Sequence, residues 1–217
     1  MEACVGPSGH DYRVRSRTER FRGPVFAVYT DEVDMPGGGT ATRDYLRHVG
    51  AVGVVALDDA DRVVLVRQYR HPLGQAIWEL PAGLIDVTGE GLAEAALREL
   101  AEETDLTAGR LDVLVDLHTS PGCTDEMIRV FLARDLAELP AEKRHERRGE
   151  EADMLVQRID LDEAVAMALA GEITNAACVG GLLAAAWARS NNWAGLRPAT
   201  TPPPRRSVPT VVTDGGS

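Results

Sequence analysis

The stretch that decides the fold is GLIDVTGEGLAEAALRELAEETDL, residues 83–106. Its second half is rich in Ala, Leu and Glu, which predicts a helix over residues 92–104. At about 100° per residue, the apolar side chains of this helix fall on one stripe that would face a core. These are Leu92, Ala93, Ala96, Leu97 and Leu100. Glu99 and Glu103 lie at the edge of the stripe, whereas acids that serve only solubility would lie opposite it, so their position needs a further reason.

A divalent cation would supply that reason. Glu99 and Glu103 are four residues apart, and like charges at this spacing mildly destabilise an isolated helix. Mg²⁺ takes oxygen ligands and is typically held by a few carboxylates together with substrate phosphates. The alternative is an acidic, solvated helix face, and the spacing alone does not decide between the two interpretations.

The wider pattern resembles the Nudix box. That box reads Gly, five residues, Glu, seven residues, then Arg-Glu-apolar-x-Glu-Glu-x-Gly-apolar. The spacing from Glu90 to Arg98 matches, and so does the whole Arg-Glu-Leu-Ala-Glu-Glu core that begins at Arg98. There are two departures: six residues separate Gly83 from Glu90, and Asp105 replaces the last glycine. Neither departure removes a carboxylate, and aspartate tolerates the left-handed backbone that would end the helix.

The resemblance implies an α/β (α+β) fold. This is a Nudix-type α/β/α sandwich with a mixed sheet, preceded by a small N-terminal antiparallel β segment. The residues agree, because two nearly all-apolar runs predict strands that are buried on both faces. The predicted strands include residues 25–29, 45–49, 51–57, 62–69, 111–117, 127–133 and 155–159. Further helices are predicted at residues 162–170 and 176–189.

Four segments are predicted along the chain. Residues 1–9 would be a flexible N-terminus, and 49–193 the Nudix hydrolase domain. The resemblance implies that residues 10–48 form a β-strand segment through which two copies make a homodimer. The last 24 residues, 194–217, are rich in proline and predict a disordered tail.

The chain resembles the ADP-ribose pyrophosphatase branch of the family. Trp78-Glu79-Leu80-Pro81-Ala82-Gly83 leads into the box as in that branch, and Pro121 falls fifteen residues after Leu106, where the branch has a marker proline. The branch implies Mg-dependent hydrolysis of the diphosphate linkage of ADP-ribose to AMP and ribose 5-phosphate. Two alternatives stay open: another nucleoside diphosphate sugar or dinucleotide as substrate, and a non-catalytic nucleotide-sensing module.

The resemblance also assigns the metal site and the catalytic residues. Glu99, Glu102, Glu103 and the backbone carbonyl of Ala82 would hold Mg²⁺, with Mn²⁺ as a substitute. The general base would lie outside the box, after the polar loop at residues 140–149. Glu151 is favoured there over the adjacent Glu150, so the catalytic set is Glu103 with one of these two glutamates.

The remaining site residues have structural or binding roles in this interpretation. Gly83, Glu90 and Arg98 would be structural, with a Glu90–Arg98 ion pair that braces the loop on the helix. Substrate anions also need cations that are not metals, and candidates follow the second buried strand. The residues expected to line this cleft are Arg67, Arg70, Trp78 and Glu79.

Composition limits the partners and the compartment. Among 217 residues, 34 acidic against 23 basic side chains leave a net charge of −11, which disfavours nucleic acid as a partner. Three widely spaced cysteines suit a reducing compartment. The N-terminal residues show no export signal, and the longest mostly apolar stretch is shorter than the about 20 residues that cross a bilayer. We therefore expect a cytoplasmic protein without a membrane or nucleic-acid partner, acting on a small nucleoside diphosphate.

Overall fold

A computed structural model describes residues 6–204 and residue 211, without the side chains of Glu150 and Glu151. The flexibility predicted for residues 1–5 and the disorder predicted for 205–210 and 212–217 lie outside the described residues. The chain divides into two compact units. One contains the residues up to Val49, Ser120–Glu126 and the described residues from Pro204 onwards; the other contains Gly50–Thr119 and Met127–Pro203.

The first unit contains a three-stranded antiparallel sheet. Its strands are β1 (Val14–Arg22), β2 (Phe26–Asp34) and β3 (Thr40–His48), in the order β1-β2-β3. The turn between β2 and β3 carries three consecutive glycines with positive φ, at residues 37–39. A side chain disfavours that backbone conformation, so the glycines fit the turn. The predicted N-terminal antiparallel β segment is confirmed.

The second unit contains a mixed eight-stranded sheet. Its strands are β4 (Ala51–Leu57), β5 (Arg62–Arg70), β6 (Gln75–Glu79), β7 (Ala82–Leu84), β8 (Leu106–His118), β9 (Met127–Glu138), β10 (Leu155–Asp160) and β11 (Arg197–Pro198). The order is β10-β5-β4-β9-β8-β11, with β6 paired to β5 and β7 paired to β4. The β4–β9 pair is parallel, whereas the others are antiparallel.

Helices cover both faces of this sheet. They are α1 (Leu92–Thr104), α2 (Leu161–Leu169) and α3 (Ala176–Ser190). Along β4, Val52, Val54 and Ala56 belong to the core cluster of α1, whereas Val55 and Leu57 belong to the cluster of α2 and α3. Because successive side chains point to opposite faces of a strand, β4 is buried on both sides. The predicted α/β/α sandwich is confirmed.

Strands β8 and β9 are longer than predicted. The sequence predicts strands at residues 111–117 and 127–133, but β8 and β9 pair as far as Leu106 and Glu138. The extra residues of β8 include glycine and alanine, which are depleted in strands, so composition hides the extension. Within the described residues, no helix has the length and apolar character needed to cross a membrane.

The prediction of a disordered tail over 194–217 is wrong for residues 197–202. Strand β11 pairs with β8, and the buried Arg129 donates to the carbonyls of Thr201 and Pro202 at 2.5 and 3.2 Å. The Arg129 guanidinium also forms two hydrogen bonds with Asp116, at 2.6 and 3.1 Å. A buried side chain therefore fixes a segment whose proline content alone indicates disorder.

Candidate functional site

Helix α1 positions the carboxylates of the site. It spans Leu92–Thr104, as predicted, and buries Ala95, Ala96 and Leu100. The Glu94 carboxylate accepts a hydrogen bond from the Gly91 backbone N–H at 3.0 Å and caps the first turn. Asp105 ends the helix with φ 58° and ψ 27°. This left-handed residue stands where the Nudix box has glycine, and the expectation that aspartate tolerates the position is confirmed.

Glu103 joins this helix to the strand that precedes it in the chain. The side chain is 5% exposed, and its Oε2 accepts a hydrogen bond from the Ala82 backbone N–H at 3.0 Å. A buried carboxylate needs such partners, because burial without them costs free energy. The structure therefore brings together Glu103 and Ala82, which the sequence interpretation placed in one metal site.

Gly83 lies directly against the carboxylate of Glu99. A Cβ at this position would lie 1.9 Å from Glu99 Cδ and 2.1 Å from Oε1. Backbone conformation does not demand glycine here, since residues with positive φ do not include Gly83. Glycine is required because the carboxylate occupies the space of a side chain.

We predict that Gly83→Ala lowers turnover about 10²-fold, because small displacements of site groups have effects of this size. The new methyl group would push the Glu99 carboxylate from its position. Only the end of a flexible side chain has to move, so the free energy of unfolding should change by about 1 kcal/mol or less. Steady-state kinetics and thermal unfolding of the two proteins check this. Wild-type turnover in the variant would show that the Glu99 position does not matter.

Arg98 connects three glutamates of the box. Its guanidinium donates to Glu90 at 2.9 and 3.0 Å, to Glu99 Oε1 at 2.5 Å and to Glu102 Oε2 at 3.4 Å. The predicted Glu90–Arg98 ion pair is present. The sequence pattern did not indicate that Arg98 also holds Glu99, since adjacent helical residues do not face each other in a simple helix projection.

The pKa values of Glu90 and Glu99, which both contact Arg98, shift in opposite directions. Hydrogen bonds from Arg98 lower the pKa of Glu90, so Glu90 stays ionised. Burial raises the pKa of Glu99, and the Arg98 charge offsets only part of that effect. Glu99 thus holds its negative charge less readily than an exposed glutamate and would gain from an added cation.

The donors fit a hard divalent cation by their chemistry. Glu99, Glu102, Glu103 and the Ala82 carbonyl offer oxygen atoms only, which Mg²⁺ prefers. In the part of the chain that the structure describes, no three acidic, histidine or cysteine side chains already have the arrangement of a metal site. The carboxylates of Glu99 and Glu102 face Arg98 instead.

The residues predicted to bind substrate form two pairs on β5 and β6. Arg67 pairs with Trp78 in the sheet, and its Cζ lies 5.8 Å from the indole centroid. Arg70 donates through Nε to Glu79 Oε1 at 2.9 Å, and through Nη2 to Oε2. Glu79 is 3% exposed, so the Arg70–Glu79 pair largely neutralises itself. Arg67 is exposed beside an aromatic face and is better suited to contact an anion.

The backbone of Glu150 and Glu151 lies in a short 3₁₀ helix, Gly149–Asp153. This helix leads directly into β10, whose first residue, Leu155, pairs with Arg67. The chain that carries the two glutamates therefore enters the sheet next to a predicted substrate residue. Their side chains lie outside the described structure, and the choice between them stays a prediction.

One contact to the site was not predicted from sequence. Arg147 donates to Asp105 Oδ2 at 2.7 Å and to the Glu102 carbonyl at 3.2 Å. The residues are more than 40 positions apart in the chain, and no local pattern links them. The only signal was the replacement of the box glycine by Asp105.

The fold and this site define a family. A family model described as NUDIX domain matches residues 47–176, and the chain belongs to this family. Two relatives that share most of this chain are both named ADP-ribose pyrophosphatase. The ADP-ribose pyrophosphatase of Mycobacterium tuberculosis is 46% identical over 175 residues, covering 81% of this chain and 83% of the relative. That of Bacillus subtilis is 37% identical over 161 residues, covering 74% and 85%.

A solved structure is similar in fold. It is described as the crystal structure of an ADP compounds hydrolase and has a TM-score of 0.69 to this chain. The likeness covers 84% of this chain and 96% of the other at 24% sequence identity. At that identity the comparison bears on the fold alone.

Proposed function

We propose that the protein hydrolyses the diphosphate linkage of ADP-ribose to AMP and ribose 5-phosphate, with Mg²⁺ as cofactor and Mn²⁺ as a substitute. The observation that carries this proposal is the arrangement of the box. Glu103 is bonded to Ala82, and Glu99 lies against Gly83. The names of the relatives that share most of the chain support ADP-ribose as the substrate.

Glu99, Glu102, Glu103 and the Ala82 carbonyl would hold the metal. When bound, a divalent cation neutralises phosphoryl charge and lowers the pKa of a coordinated water. Glu99 and Glu102 would have to exchange part of their contact with Arg98 for the cation. The Ala82 N–H fixes Glu103 before that exchange, and the Glu90–Arg98 pair keeps the arginine on the helix.

Other residues would bind the substrate and move the proton. Arg67, exposed beside Trp78, has the charge and position to hold a phosphate or ribose of the substrate, while Arg70 and Glu79 support the same strands. Glu151, or Glu150 next to it, would take the proton of the attacking water as general base.

The variants Glu150→Gln and Glu151→Gln identify the base. The variant that removes turnover and flattens the pH dependence of kcat marks the residue that takes the proton. If neither variant loses turnover, both glutamates are excluded as the base.

A substrate panel tests this proposal. The compounds are ADP-ribose, other nucleoside diphosphate sugars and dinucleotides, each with Mg²⁺, ranked by kcat/KM. We expect ADP-ribose to rank first. A higher rank for another compound would assign the chemistry to that substrate. Tight binding of ADP-ribose without product after long incubation with Mg²⁺ or Mn²⁺ would favour a nucleotide-sensing module instead.

The assembly and compartment that we propose are a homodimer through residues 10–48 and the cytoplasm. Phe21 and Phe26 support the first: they are 52% and 41% exposed on the three-stranded sheet, with ring centroids 5.8 Å apart. Free thiols at Cys123 and Cys178 suit the reducing cytoplasm. Light scattering should give twice the chain mass of 23.4 kDa, and a monomer at micromolar concentration would contradict the dimer.

A further inference from the structure

The loop between β9 and the 3₁₀ helix Gly149–Asp153 is anchored at both ends by one residue of the box, Asp105. At the start of the loop, the Leu139 N–H donates to the Asp105 carbonyl at 2.8 Å. At its end, Arg147 donates to Asp105 Oδ2 at 2.7 Å. Arg147 also donates to the carbonyl of Glu102 at 3.2 Å. The loop thus closes on the C-terminal end of α1.

The other loop arginines make contacts of a different kind. Arg144 donates to the Leu139 carbonyl and to Glu138, and Arg148 donates to Glu146. These partners all lie within the loop or at the end of β9. Of the three loop arginines, Arg147 is the one whose described hydrogen bonds reach helix α1.

The Asp105–Arg147 pair is shielded enough to matter energetically. The two side chains are 22% and 24% exposed, whereas those of Arg148 and Glu146 are 80% and 78% exposed. Ion pairs in full contact with solvent contribute little, and shielding from water strengthens them. Arg147 therefore constrains the loop more than a surface ion pair would.

The pair gives a reason for the departure of this box from the family pattern. The residue that ends α1 has a left-handed backbone, which glycine adopts without cost. Glycine has no carboxylate and cannot accept a hydrogen bond from Arg147. Aspartate tolerates the same backbone and supplies that acceptor.

We propose that Asp105 and Arg147 are positioning residues, which fix the segment that carries Glu150 and Glu151 against the carboxylate-bearing helix. This inference rests on the proposed function, in which one of the two glutamates is the base. Glu150 follows Arg147 by three residues, and three residues span at most about 10 Å. Holding Arg147 on α1 therefore limits where the base lies, and a shift of about 1 Å in a site can cost about 10²-fold in rate.

The experiment compares Arg147→Gln, Asp105→Gly and the double variant with wild type; glycine keeps the left-handed backbone that ends α1 and removes the acceptor. Arg148→Gln is the matched control, because it removes an exposed arginine from the same loop. We expect each single variant to lower kcat by about 10- to 100-fold with little change in KM. The double variant should lose no more than the worse single variant, since both break one interaction. Arg147→Lys should recover part of kcat, and Arg148→Gln should match wild type.

Hydrogen exchange of residues 139–153 on the same proteins gives a readout that does not depend on activity. Exchange should be faster in Arg147→Gln and Asp105→Gly than in wild type and Arg148→Gln. If the wild type is active, two results would overturn the positioning role. One is a kcat of Arg147→Gln equal to that of wild type, and the other is a double variant in which the losses of the two single variants multiply. Unchanged loop exchange would overturn it as well. If the two variants exchange faster than wild type but the wild type hydrolyses no nucleoside diphosphate, the failure lies in the proposed function and not in the positioning role.

Discussion

Glu103→Gln is expected to lower kcat for ADP-ribose about 10³-fold or more, because loss of a metal-binding carboxylate removes several kcal/mol of charge stabilisation. Glutamine has the same shape as glutamate, and its amide oxygen can still accept the hydrogen bond from the Ala82 N–H. The unfolding free energy should therefore fall by only about 1 kcal/mol, the difference between a charged and a neutral hydrogen bond. Steady-state kinetics with Mg²⁺ and thermal unfolding measure the two effects separately.

The matched control for this prediction is Glu94→Gln on the same helix. Glu94 caps the first turn, and glutamine can also fill that position of a capping box. Both variants remove one negative charge from α1, so an effect of net helix charge would appear in both. Turnover near the wild-type value in Glu103→Gln, or an equal loss in Glu94→Gln, would contradict the role assigned to Glu103.

Arg129→Met is expected to have the largest effect on stability. Arg129 is 1% exposed and bonds to Asp116 and to the carbonyls of Thr201 and Pro202. Breaking a buried ion pair by removing one partner costs about 3–5 kcal/mol. For a chain of this length that lowers the melting temperature by about 10 °C. Arg197→Met is the control, since Arg197 also bonds to Asp116 but is 42% exposed. Equal losses in the two variants would contradict a special role for the buried arginine.

The same pair predicts a dependence on pH. Burial alone would raise the pKa of Asp116, but the hydrogen bonds and charges of Arg129 and Arg197 outweigh it and lower that pKa. A carboxylate whose pKa is lowered by folding stabilises the protein fully at pH values above its ordinary pKa of 3.8. That contribution is lost as the pH falls below 3.8 and through the lowered pKa. The stability difference between wild type and Arg129→Met should therefore shrink below that pH.

The helix and the sheet could be predicted because their signals are local. Helix α1 has helix-forming residues, an apolar stripe and an aspartate at its end, and its bounds agree with the prediction. Strand β4 is apolar at every position, which is typical of a central strand covered on both faces. Such features depend only on residues close together in the chain.

Long-range contacts are the part of the structure that the sequence did not predict. Residues 197–202 were predicted to be disordered from their proline content. That local signal carries no information about the contact with Arg129, which lies about 70 positions earlier in the chain. Arg70 and Glu79 were taken as separate substrate residues, whereas the pairing of β5 with β6 places them in one ion pair. The Asp105–Arg147 contact was hidden for the same reason, because a side chain's partner depends on the tertiary fold.

The central claim is tested most directly by incubating the purified chain with ADP-ribose and Mg²⁺ in ¹⁸O-water and weighing the products by mass spectrometry. We predict AMP and ribose 5-phosphate in equal amounts, with one ¹⁸O atom in one of the two phosphates and no product when the metal is chelated. Intact ADP-ribose after incubation, or products without ¹⁸O, would contradict hydrolysis of the diphosphate linkage by this protein.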